Sequence, residues 1–233
     1  MPDVVDALDE VMDSMLDAVR KGGDVAAAAN DKREAIEDVY LTIYETALPM
    51  FAEERYEQYN TKSVRQVPES LFEKWLRIAR EFIATRPMQA RITQVLDTTI
   101  EWVNELTAEG LREGLTTDQV ATQIQEKWTD PESPINRFRA ERISRTETIS
   151  AANKGSQQGV IDSDVDALKF WISATDDRVR DAHDTGQNPS LSVPIPLTDP
   201  YIVDNEALMF PGDPAGSAHN VINCRCVEGY EVI

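Results

Sequence analysis

Leu168-Lys-Phe-Trp-Ile-Ser-Ala174 is a run of large side chains that alternate along the chain, and it follows a polar turn at Asp162–Asp166. Period-two alternation sends successive side chains to opposite faces, which marks a strand. Upstream of it the chain reads as helix. Val4, Leu8, Met12, Met15 and Val19 recur at helical spacing until Gly22-Gly23. A second helix from near Asp31 carries Ile36, Val39, Tyr40, Ile43, Tyr44 and Ala47, and Pro49 is expected to kink or end it. A polar loop from Asn60 to Pro68 leads to a third helix with Leu71, Phe72, Trp75, Leu76, Ala79, Phe82 and Ile83.

Pro87 suits the first turn of the next helix, whose apolar side holds Ile92, Val95, Leu96, Thr99, Trp102, Val103 and Leu106. Thr116-x-x-Gln119 predicts a capping box before a short helix ending at Trp128. Pro131 and Pro134 mark a turn, and a last long helix runs from about Ile135 toward Gly159. Beyond the strand, Asp176–Asp184 is expected as a short helix and Asn188–Pro200 as irregular chain. Leu208–Phe210 and Val227–Ile233 are short strand candidates. The expected class is α+β: a mainly α-helical N-terminal part followed by a small mixed α/β C-terminal module. The expected domains are a helical docking region at 1–110, a helical connector at 111–165 and the module at 166–233.

Charge narrows the function classes. The 233 residues carry 42 acids against 23 bases, a formal net charge of −19, and most of the bases are arginine. Phosphate contacts need local cations, so the chain as a whole is disfavoured as a nucleic-acid binder. At molar salt the Debye length falls to about 3 Å, and the acids then act as a hydration coat; this composition suggests a halophilic setting. The acidic N-terminus has no secretory n-region, and no apolar run approaches membrane-spanning length. A cytosolic site of synthesis is expected.

Both histidines and both cysteines fall in the C-terminal module. His183, His219, Cys224 and Cys226 are the right ligand types for tetrahedral zinc. Their spacing is poor, with Cys224-x-Cys226 tighter than the usual paired-ligand knuckle. The plainer alternative is buried thiols near a turn and histidines bonded to backbone or carboxylates. Asp176-Asp-Arg-Val-Arg-Asp-Ala-His183 is dense in charge. On a helix Asp176 would pair with Arg180. An Asp–Arg–His cluster suits either acid–base chemistry or the locking of a small domain, and no nucleophile stands beside it.

Several pieces resemble, in order, the C-terminal region of the phage Mu F-like minor head proteins, the head-morphogenesis family of tailed phages. They are Gly114-Leu-Thr-Thr-Asp-Gln119, Arg139-Ala-Glu-Arg-Ile-Ser-Arg-Thr-Glu147, Ala151-Ala-Asn153, Lys169-Phe-Trp-Ile172, Asp176–His183, Phe210-Pro-Gly-Asp213 and Ile222-Asn-Cys-Arg-Cys226. The resemblance covers roughly Gly110 to Glu228. It implies a non-enzymatic minor head component associated with the portal, found in the virion head near the portal vertex, and in host cytoplasm during assembly.

The partners the resemblance implies are the portal protein and the major capsid protein or scaffold, with a homo-oligomer following portal symmetry. Strong acidity weighs against contact with packaged DNA. Some relatives carry toxin or ADP-ribosyltransferase domains after this module, and here the chain stops at Ile233. Arg145, Glu147, Asp176, Arg178, Arg180, His183, Asp213, Asn223 and Arg225 are expected to form a structural polar cluster, with no catalytic residue and no cofactor unless zinc binds. The competing expectation is a small hydrolase or transferase using Asp176, Arg178, Arg180 and His183. Tyr40, Tyr44, Phe51, Tyr56 and Tyr59 are candidate docking anchors.

Overall fold

The computed structural model describes residues 4–60, 67–133, 135–174 and 176–233. Most of the loop expected from Asn60 to Pro68, and Pro134 of the expected turn, lie outside the described residues. The fold is α+β, with helices dominating the N-terminal part and small antiparallel sheets in the C-terminal region. The chain divides into two compact units that interleave in sequence. One is Met1–Thr42 with Gln89–Ser144, and the other is Ile43–Met88 with Arg145–Ile233. These cuts fall inside long helices, whereas the composition of the chain suggested boundaries near 110 and 165.

In the first unit, α1 (Val4–Lys21) buries Val4, Leu8, Val11, Met12, Met15 and Val19 on one face. Gly22, at φ +64, ends it, and the Gly23 N–H reaches back 2.8 Å to the Ala18 carbonyl. That closure satisfies carbonyls the last turn would otherwise leave open. A short α2 (Val25–Asn30), not foreseen in the sequence, is capped by Asp24. It packs on α1 together with α6 (Thr117–Thr129), which begins with the expected Thr116–Gln119 capping box. The Trp128 indole donates 2.8 Å to Asp9. Arg139 is buried here, bonded to Thr99 and the Val95 carbonyl, and burial lowers its guanidinium to about 10.

The helix α3 (Arg33–Tyr59) contains Pro49, so the expected ending there does not occur. A mid-helix proline loses one backbone bond and costs about 3 kcal/mol in isolation. Burial of Leu48 and Ala52 beside it offsets that cost. Tyr40 and Tyr44 are core residues, at 1% and 0% exposure, so they are not surface anchors. The helices α4 (Glu69–Ile83) and α5 (Arg86–Arg112) match the expected patterns, although Phe72 is 39% exposed.

The second unit is organised on α7 (Arg139–Asp162). A Cβ placed on Gly155 or Gly159 would sit 2.2 Å from the carbonyl oxygen of Leu48 or Ala52. The two glycines therefore let α7 lie directly against the α3 backbone. Much of the face that α7 buries is polar: Thr146, Glu147, Ser150, Asn153, Ser156 and Gln157. The Tyr44 hydroxyl donates 3.1 Å to Glu147, and the Trp75 indole donates 2.7 Å to Asp162.

The small sheet has the order β2-β1-β5, all antiparallel, from β1 (Ala167–Ile172), β2 (Ile195–Pro196) and β5 (Val227–Val232). Strands β3 (Tyr201–Val203) and β4 (Glu206–Leu208) form a separate hairpin. Its turn residues Asp204 and Asn205 both have positive φ, as a primed two-residue turn requires. Trp171, Leu191, Tyr201, Val203, Leu208, Cys224 and Cys226 make the module's apolar core.

Candidate functional site

Alternation along β1 turns Lys169 and Trp171 inward, and alternation along β5 does the same for Glu228 and Tyr230. In register, Lys169 faces Tyr230 and Trp171 faces Glu228. The sheet thus buries a charged pair: Lys169 Nζ lies 3.8 Å from Glu228 Oε1, and both side chains are 0% exposed. Lys169 also donates 2.5 Å to the Met209 carbonyl and sits 4.8 Å above the Tyr201 ring. Tyr230 donates 2.8 Å to Glu228. Desolvation pushes the Glu228 carboxyl up to about 7 against the pull of Lys169. Burial likewise holds the Lys169 and Lys154 ammonium groups below the ordinary lysine range, against Glu228 and Asp213. The sequence signal for this cluster is a lysine in phase with Trp171 along an alternating strand, on the face the aromatic residue marks as inward.

The second polar assembly gathers around the end of the sheet. The stretch 176–184 forms turns and not the expected helix. Asp176 accepts the Arg178 N–H at 3.0 Å, a bond that a helix N-cap also makes, so the departure from helix lies with Asp176 and Arg180 reaching partners distant in sequence. The expected Asp176–Arg180 pair is accordingly absent. Asp176 instead holds Arg225 with both carboxylate oxygens, and Arg180 donates to the Ile222 carbonyl. The Arg225 hydrogen bond keeps the Asp176 carboxyl below the usual carboxylate range. Arg178 is exposed, with Nη2 3.7 Å from Asp176.

Arg178, Arg180, His183, Asn223 and Arg225 line one small cleft together with Cys224 and Cys226. Asn223 takes positive φ, and its N–H donates 3.0 Å to Thr146 on α7. The remaining members of the expected cluster lie elsewhere. Glu147 is bonded to Tyr44, and Arg145 is an exposed residue of α7. Asp213 caps its own turn by accepting from the Met209 and Ala215 N–H groups, at 2.7 and 2.9 Å.

Of the four proposed metal ligands, three meet. His183 Nδ1 lies 3.6 Å from Cys224 Sγ and 3.8 Å from Cys226 Sγ, and all three residues are buried. The other ring nitrogen donates 3.3 Å to Asn220 Oδ1. Trp171 meets the imidazole edge-on at 5.2 Å. The thiols are unequal: the Cys224 hydrogen bond pulls Cys226 down, while the same bond pushes Cys224 up. His219 stands apart, 70% exposed and 3.9 Å from Asp204, so it belongs to no such cluster. It lies on the one-turn α8 (Ala218–Val221), whose Asn220 is the residue turned toward His183.

Two further bonds tie the assembly to α7. The Asn153 amide donates to the Pro211 and Cys226 carbonyls at 2.9 and 3.0 Å. No helix among the described residues is long and apolar enough to cross a membrane. Residues 101–228 match the family described as Phage Mu protein F like protein, a span that takes in the end of α5, α6, α7 and the module. No curated protein and no solved structure matches the chain.

Proposed function

Because the chain belongs to the family of Phage Mu protein F like proteins, we propose that it is a minor head protein of a tailed virus, acting in head morphogenesis. The observation that carries this reading is the match over residues 101–228. The chemistry of the matched stretch agrees with a structural role. Asp176 is committed to Arg225, Thr146 to Asn223, and Asn153 to two carbonyls. Side chains held this way lock loops to a helix and are poorly placed to carry protons to a substrate. His183, at 1% exposure, offers little surface to one, which weighs against the hydrolase or transferase alternative.

The finer features of the proposal are association with the portal vertex, low copy number and the virus of a halophilic host. The charge of −19 supports the last of these and argues against contact with packaged DNA. Quantitative mass spectrometry of purified heads tests the proposal. The chain should be present at a fixed low number per portal ring, and cross-linking should join it to the portal protein. Heads that assemble and mature without it would overturn the reading.

A further inference from the structure

We propose that His183, Cys224 and Cys226 bind one zinc-class divalent cation, with the fourth coordination position open to the arginine-lined cleft. The inference rests on donor geometry and stands apart from the head-protein reading. In a tetrahedron with Zn–S about 2.3 Å and Zn–N about 2.0–2.1 Å, neighbouring nitrogen and sulfur ligands are about 3.6 Å apart. The two nitrogen–sulfur distances here are 3.6 and 3.8 Å. All three donor atoms lie within 4.8 Å of one another.

Without metal the two thiols bond to each other and to the imidazole, so the case for a cation is the donor set and its tetrahedral spacing. Asn220 donates through Nδ2 to the Val203 carbonyl at 3.5 Å, which turns its Oδ1 toward His183 Nε2. The proton therefore sits on Nε2, and Nδ1 presents one lone pair. One lone pair serves one S–H donor, yet two sulfurs face it. A cation between the three atoms satisfies them together. An amide that orients a histidine through its second nitrogen is the arrangement metal sites use to fix the ring.

The donor set selects the ion. Two thiolates and an imidazole suit zinc and disfavour calcium or magnesium, which take oxygen. Binding needs both sulfurs as thiolates, so any proton still on a thiol leaves to solvent, and the two thiolates neutralise the divalent charge. The cleft beside the site is lined by Arg178, Arg180, Asn223 and Arg225, none of which is a ligand type for this ion. The fourth position therefore takes water in the free chain.

The test uses the full chain purified at high salt without chelator, then stripped and titrated with Co²⁺ as a spectroscopic stand-in. One equivalent per chain is expected, with tetrahedral visible bands and a thiolate-to-cobalt charge-transfer band. Cys224→Ser and Cys226→Ser should each lose about half of that band, while His219→Ala should bind like the parent. If the cysteine variants fail to fold, Asn220→Ala provides the reading, with affinity expected to fall about 10- to 100-fold. A folded chain that gives no charge-transfer band overturns the proposal, as does loss of binding in His219→Ala or unchanged affinity in Asn220→Ala.

Discussion

The carboxylate of Asp176 grips the guanidinium of Arg225 through both oxygens, across a separation of 49 residues. This pair fastens the turn after β1 to the Cys224-x-Cys226 segment. Bidentate geometry fixes orientation as well as distance. Asp176→Ala and Arg225→Ala should each speed amide exchange over residues 222–228. The two changes break one link, so the double variant should match the worse single one. Additive losses would show that the two side chains act separately.

Gly155 and Gly159 set the distance between α7 and the second half of α3. A methyl group at either would meet a carbonyl oxygen at 2.2 Å, and the atom it meets is backbone. Alanine adds up to about 1 kcal/mol of helix propensity. Forcing two helices apart costs about 1–3 kcal/mol or more. Gly155→Ala and Gly159→Ala should therefore lower stability in urea melts despite the better helix former. A variant as stable as the parent would mean that the helices do not rely on this contact.

How much of this was legible in the sequence varies with the physics. Val4, Leu8, Met12 and Met15 marked α1 because apolar burial leaves a period. The capping box at Thr116 was legible because it is purely local. The buried face of α7 was obscured because Ser150, Asn153, Ser156 and Gln157 are polar residues, buried by tertiary packing. The expected helix at 176–184 failed for a related reason: Asp176 and Arg180 find long-range partners that local spacing does not reveal. His183, His219 and the two cysteines share the ligand types of a zinc site, and only the fold, which brings His183 to Cys224 and Cys226, separates them from His219. The pairing of Lys169 with Glu228 needed the β1–β5 register.

Glu228 gives the module a pH dependence whose sign is fixed. Burial raises its carboxyl from 4.5 to about 7 in the folded chain. A group held above its unfolded value stabilises the fold fully below about pH 4.5, and that contribution is lost as pH rises through about 7. By linkage the difference is roughly 3 kcal/mol. Lys169, lowered from 10.5, acts in the opposite direction and toward the alkaline side. Glu228→Gln keeps an acceptor for the Tyr230 hydroxyl and removes the titration. Denaturant melts at pH 5 and pH 8 should differ clearly for the parent and little for this variant. An equal slope in both would assign the pH dependence to other groups.

Self-repulsion should make the first unit sensitive to salt. The chain carries 42 acids and 23 bases, and Asp13, Glu105 and Glu109 are among the exposed acids. Raising salt from about 0.1 to about 1 M shortens the Debye length from about 10 to about 3 Å, so repulsion between surface carboxylates fades. The thermal midpoint is expected to rise over that range. The triple variant Asp13→Asn, Glu105→Gln, Glu109→Gln should start higher at low salt and gain less. If the variant gained as much as the parent, screening of these charges would not be the cause. The salt response would then belong to stronger burial of apolar surface.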